Sequence, residues 1–169
     1  MTPHLISLSK ADWSGPEALL SAELGGRWQA RRGHLVDGLE GEGRLAIDDA
    51  GMPIGLVTWL VGGADSAPGE AEIRVLVVAQ RFRRRGVGGA LLAAAETALA
   101  ADGVRRAWLV TTNDNVGALA FYQQRRWRLA ELRVGAVDSA RATLKPAISP
   151  LAENGIPIRD ELVLRKDLP

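Results

Sequence analysis

The chain has 169 residues, 47% of them hydrophobic and 24% charged, with a net charge of +1. That composition suits a globular domain with a substantial core, and the near-zero charge argues against bulk electrostatic binding of nucleic acid. Cysteine is absent, which removes disulfides, thiolate metal sites and any covalent cysteine intermediate, and two histidines, His4 and His34, are too few for a His-rich centre, so no metal is expected.

In chain order, Leu5 to Leu8 reads as a short first strand. A helix follows, capped by Asp12 or Ser14, with Pro16 in its first turn, apolar positions at Leu19, Leu20 and Leu24, and Gly25-Gly26 as its stop. Residues 27–43 are broken by glycine and mixed in charge; helix and loop both fit them, with Trp28, Leu35, Val36 and Leu39 as anchors. Arg44 to Asp48, Ile54 to Val61 and Glu70 to Val78 then form three strands with short links, an antiparallel meander. An Ala/Leu helix runs to Ala101, with Val87, Leu91, Leu92, Ala95, Ala98 and Leu99 near the helical period.

Gly103 stops that helix, and Arg106 to Thr111 is a strand that the intervening helix makes parallel to the one ending at Val78. Asn113-Asp-Asn115 is turn and cap chemistry before a helix through Ala118, Leu119, Phe121 and Tyr122. Trp127 to Val134 is a strand, Val137 to Leu144 a short helix, Lys145 to Pro157 a Pro-rich loop and Glu161 to Arg165 a last strand. The expected architecture is α+β in one domain, residues 1–169: a mixed, mostly antiparallel central sheet flanked by helices, with one parallel pair. No basic segment leads into an apolar core at the N-terminus and no stretch approaches a membrane span, which points to the cytoplasm and to no membrane partner.

The stretch that points to chemistry is Arg81 to Gly89, between the third meander strand and the Ala/Leu helix. It holds Arg83, Gly86 and Gly88 in the spacing Arg-x-x-Gly-x-Gly. Glycine lets the backbone turn sharply and lets a ligand approach it, while the first amides of the helix lack intrahelical partners and carry the positive end of its dipole. A diphosphate fits there; the alternative is a strand-to-helix turn without a ligand. The stretch has neither the Gly-x-Gly-x-x-Gly of dinucleotide folds nor the Lys-Ser/Thr of a P-loop.

Three features in this order, Glu72-Ile-x-x-Leu-x-Val78, Arg83-x-x-Gly86-x-Gly88 and Asn115-x-x-Ala118-x-x-Phe121-Tyr122, resemble the GNAT superfamily of acetyl-coenzyme A-dependent N-acyltransferases, across essentially the whole chain. One departure is local: members commonly place a glycine before the aromatic that follows Phe-Tyr, where this chain has Arg126-Trp127. The resemblance implies acetyl-coenzyme A as acyl donor, with backbone amides from Arg83 to Gly89, including Gly86, Gly88 and Gly89, on its pyrophosphate. Arg84 and Arg85 would add charge near the phosphates. The main chain at Leu76 and Val78 would pair with the pantetheine arm where two parallel strands splay apart, as in strand addition, with the Leu76 amide on the thioester oxygen. Asn115 would contact pantetheine or serve as a helix cap.

Within that frame Glu72 is the candidate base, with Glu70 as substitute. A period of two sets Glu72 on one face with Arg74, Leu76 and Val78; the other reading makes it the ion-pair partner of Arg74. Tyr122 is the candidate acid for the departing sulfur. The acceptor would be a small-molecule or peptide amine, with no nucleic acid involved. Trp28 would border the acceptor pocket, while Trp59 and Trp108 read as core. A homodimer is left open, with the loop from Lys145 to Pro157 as a candidate interface or cover. The rival function is an acyl-coenzyme A-binding regulatory module that turns nothing over, in which Glu72 and Tyr122 are dispensable.

Overall fold

The computed structural model of the protein describes residues 3–8 and 12–169. Among these, the main sheet has seven strands in the order β1-β4-β5-β6-β7-β9-β8: β1 (His4–Ser7), β4 (Glu42–Ile47), β5 (Pro53–Val61), β6 (Glu70–Val78), β7 (Arg106–Thr112), β9 (Glu161–Asp167) and β8 (Arg128–Arg133). Helix α2 (Val87–Ala101) links β6 to β7, the one parallel pair in a mostly antiparallel sheet. The expected α+β architecture holds. No helix among the described residues is long and apolar enough to cross a membrane.

Two compact units make up the chain, one from residues 3–8, 12–27, 37–107 and 168–169, the other from residues 28–36 and 108–167. In the first, β4, β5 and β6 form the expected meander, with β1 antiparallel to β4. Helix α1 (Ser14–Leu24) covers one face, where Leu19 and Leu20 pack with Leu39, Leu45, Leu56, Val75 and Val77. Helix α2 covers the other so closely that a Cβ on Gly55 would lie 2.9 Å from Leu91 and 3.1 Å from Val87. Neither expected residue caps α1. The Asp12 carboxylate spends itself one position early, accepting the Ser14 amide at 3.0 Å and hydroxyl at 2.6 Å. Leu24 is exposed rather than part of the buried face.

Neither a helix nor a loop fills residues 27–43. Strands β2 (Trp28–Arg31) and β3 (His34–Asp37) form a hairpin closed by Arg32 at φ 51° and Gly33 at φ 81°. Two left-handed central residues are what a two-residue hairpin turn of matching twist requires. Arginine in place of the usual asparagine or aspartate hid that turn in the sequence. In the second unit the tip of the hairpin is held by Glu161, whose two carboxylate oxygens each lie 3.1 Å from the Arg32 amide. At its base, Lys145 donates to the Trp28 carbonyl at 2.8 Å. The unit also holds α3 (Val116–Gln123), α4 (Ala136–Thr143) and the antiparallel pair β8 and β9. The segment from Lys145 to Pro157 is a loop, as expected, with a single bridge between Leu151 and Pro157.

Candidate functional site

The turn after β6 begins with a 3-10 turn at Gln80–Phe82, extends through Arg83 and Arg84 (φ 60°), and reverses at Gly86, whose φ of 87° favours glycine. Gly86 is the N-cap of α2 and no side chain caps the helix. The first bond back to the cap is Ala90 N–H to Gly86 O at 3.0 Å. The amides of Val87, Gly88 and Gly89 therefore have no partner within the helix and stand at its positive end. Arg84, Arg85 and Gly86 are exposed beside them. Arg85 and Arg81 lie against the Phe82 ring, 5.6 and 4.9 Å from its centroid. An anion with several oxygens matches this cradle of backbone donors.

Arg83 does something else. Its Nε donates to the Val78 carbonyl at 3.0 Å, and its Nη2 pairs with Glu23 on the last turn of α1. The other Glu23 oxygen accepts the Gln80 amide at 3.0 Å. Nothing local in the sequence marks Glu23, which lies 57 residues before Gln80.

The side of β6 away from β5 is also defined. Val78 pairs with Gly55 and Leu76 with Val57. Ala79 N–H donates to Ile54 O at 2.9 Å, one residue beyond the first pair. In an antiparallel ladder that pattern turns the N–H and C=O of the paired residues away from the neighbouring strand. Leu76 and Val78 thus present their main-chain groups on the side of β6 away from β5, the side on which β7 is the neighbouring strand.

The shared face expected for Glu72, Leu76 and Val78 is not observed. Thr58 pairs with Val75 and Trp59 with Ile73, so Arg74 is an extra residue on β6. Such a bulge shifts the alternation by one residue. Glu72, opposite Leu60, falls on the α1 face with Val75 and Val77, while Leu76 and Val78 fall on the α2 face. Glu72 is 5% exposed and its carboxylate lies 3.2 Å from Arg74 Nε. Arg74 Nη1 in turn bonds Glu40 at 2.9 Å and the Asp37 carbonyl at 3.3 Å. The Arg27 guanidinium holds Asp37 below the usual carboxylate range. Glu70 faces Arg106 at 3.6 Å.

In the second unit Asn115 is the N-cap of α3, its side chain accepting the Ala118 amide at 3.2 Å. Tyr122 is 8% exposed, edge-on to Phe121 with ring centroids 5.2 Å apart and 5.9 Å from Trp127. Burial pushes its phenol up to about 12. Arg126, at the position where the resemblance leads to an expected glycine, adopts a left-handed φ of 67° just before the buried Trp127. Trp108 is core, as expected, with Arg32 stacked 5.2 Å from its ring, whereas Trp28 is 54% exposed. Asn113 accepts the Arg159 and Asp160 amides at 3.0 Å and donates to the Pro157 carbonyl at 2.9 Å, pinning the end of the long loop.

Residues 7–126 match the Acetyltransferase (GNAT) family. The chain is 37% identical over 156 residues to the uncharacterised protein YxbD of Bacillus subtilis (strain 168), covering 92% of this chain and 86% of that protein. Its fold is similar to that of an IAA acetyltransferase from Bacillus cereus, at TM-score 0.75 and 21% identity, covering 99% of this chain and 100% of that one. A GNAT family acetyltransferase from Elizabethkingia anophelis, solved with acetyl-CoA bound, superposes at TM-score 0.75 and 21% identity, covering 98% and 97%.

Proposed function

Because the chain belongs to the GNAT family of acetyltransferases, we propose that it moves an acetyl group from acetyl-coenzyme A to a primary amine by direct attack in a ternary complex. Residues 1–169 act in this reading as one acetyltransferase domain, and the family match over residues 7–126 takes in residues of both units. The observation that carries the proposal is the uncapped set of amides at Val87, Gly88 and Gly89 behind a left-handed Gly86, next to Leu76 and Val78 of β6, whose main-chain groups turn away from β5 toward the β7 side. The first fits a diphosphate and the second fits an amide-bearing extended arm.

Acetyl-coenzyme A supplies an activated thioester. The chain's own groups do the rest. The Leu76 amide stabilises charge that develops on the thioester oxygen. Glu72, directly or through a water, takes the proton that the attacking amine sheds. As the new C–N bond forms and the C–S bond breaks, Tyr122 donates a hydrogen bond to the departing sulfur. A phenol near 12 is a weaker acid than a thiol at about 8.5, so stabilising the thiolate in place is favoured over handing it the proton. Arg84 and Arg85 add positive charge beside the amide cradle, and Asn115 holds the start of α3. The acceptor is a small-molecule or peptide amine.

Calorimetry with acetyl-coenzyme A on the wild type and Gly86→Glu tests the donor site. A Cβ at Gly86 meets nothing within 4 Å, so the variant perturbs by its charge and its left-handed backbone and not by a clash. Micromolar wild-type binding, weakened about a hundredfold or more in the variant, is expected from a carboxylate set against the helix amides. A wild type that does not bind acetyl-coenzyme A overturns the proposal. With binding in hand, release of free thiol across a panel of amines identifies the acceptor.

A further inference from the structure

The side chain of Arg83 closes a ring of polar contacts that ties together three places in the first unit. They are the last residue of β6 (Val78 O), the start of the 3-10 turn (Gln80 N–H) and the end of α1 (Glu23). Glu23 is mostly buried, at 14% side-chain exposure, whereas Arg83 is 53% exposed. Both Glu23 oxygens and two of the guanidinium nitrogens are committed, and the contacts are of the charge-assisted kind that holds geometry well. The guanidinium therefore does not point its fork at the helix amides, although it sits in a run of arginines beside them.

Resting on the acetyl-coenzyme A reading above, we infer that Glu23 and Arg83 are positioning residues that set the spacing between two subsites of one ligand. One is the side of β6 away from β5 at Leu76 and Val78; the other is the amide cradle at the start of α2. The Val78 carbonyl is the last acceptor on that side, and Arg83 occupies it. An extended arm pairing with β6 can use the Val78 amide, while at the Val78 carbonyl it meets an acceptor already shared with the Arg83 guanidinium. The same bond, through Glu23 and Gln80, fixes where the chain turns toward Gly86. The pair thus acts as a stop that determines how much ligand fits between strand and cradle, without touching the ligand.

A ligand that engages two linked subsites gains affinity from their correct separation, and its fragments do not. The test compares wild type, Glu23→Gln and Arg83→Met. Acetyl-coenzyme A binding is measured by calorimetry; ADP and S-acetylpantetheine are measured by displacement of acetyl-coenzyme A at high fragment concentration. Glu23→Gln keeps an acceptor for the Gln80 amide and removes the charge that holds Arg83. The expected result in both variants is acetyl-coenzyme A weakened about tenfold or more, with each fragment within about twofold of wild type. Arg83→Lys should not rescue, because an ammonium cannot hold the carbonyl and the carboxylate in the fixed fork of a guanidinium. Fragments weakened as much as the whole ligand, or a whole ligand unaffected by either variant, would overturn the inference. Failure of the wild type to bind acetyl-coenzyme A is a separate outcome, since it removes the donor reading on which the spacing argument stands.

Discussion

The two units use polar groups in opposite ways. In the first, the backbone carries the donors: the amides at the start of α2 are uncapped, and Leu76 and Val78 turn their main-chain groups away from β5. Side chains there, Glu23 and Arg83 above all, brace that backbone. In the second, side chains are spent inward. Asn113 binds three backbone groups of the loop end, Asn115 caps α3, Glu161 holds the hairpin tip and Tyr122 is packed among aromatics. A site made of backbone amides depends on φ, ψ and the side chains that brace it, and asks of other side chains only the proposed base Glu72. A unit made by side-chain pins depends on each pin. The first kind of region should fail in binding or turnover with its fold intact, and the second should fail in stability.

The largest expected effect lies in the first unit. Glu72→Gln removes the proposed base while keeping the size of the side chain; kcat should fall about a hundredfold or more, with acetyl-coenzyme A affinity within a few-fold. Unchanged turnover would break the catalytic half of the comparison and favour the binding-module reading. Next comes Asn113→Ala, which leaves two amides and a carbonyl near the loop end without their partner. A loss of about 2 kcal/mol in chemical denaturation is expected, with acetyl-coenzyme A binding retained. If binding were lost and stability kept, the division of labour drawn here would be wrong.

Tyr122 sharpens the comparison through pH. It is the one tyrosine in the chain, so tyrosinate absorbance reports it alone. Its phenol is raised from 10.0 to about 12 by burial, which means the folded state holds a proton that the unfolded state releases first. The stabilising contribution is complete below about pH 10 and is lost as pH rises toward 12, at most about 3 kcal/mol in all. Tyr122→Phe should flatten that alkaline decline, and its kcat should fall about tenfold if the hydroxyl steadies the leaving sulfur. A tyrosinate titration centred near 10 would contradict the burial. The smallest effect is Asn115→Ala, which removes a helix cap and should cost about 1 kcal/mol, read as a shift in thermal midpoint.

The local chemistry of the chain was legible without a structure. Glycine spacing, helical periodicity and the alternation of strands placed the elements from β4 onward within a residue or two, and they placed the backbone turn at Gly86. Asn115 as a cap was legible too, because capping is a contact over three residues. Apart from the cap of α1, where Asp12 bonds Ser14 two residues on, the departures come from contacts between residues far apart in sequence, which no local pattern records. The hairpin from Trp28 to Asp37 needs two left-handed residues at Arg32 and Gly33, and the Arg32 amide is held by Glu161, 129 positions away. The bulge at Arg74 arises from the register against β5, and by one residue it carries Glu72 to the face opposite Leu76 and Val78. Arg83 reads only as the start of the phosphate-binding amides, yet Glu23, 60 positions earlier, turns its side chain into a brace. Propensity and period determined which segments are strands, helices and turns, because those depend on neighbours along the chain. Which face a residue takes and which partner holds it are set by register and by long-range charge pairing, and only the folded chain decides them.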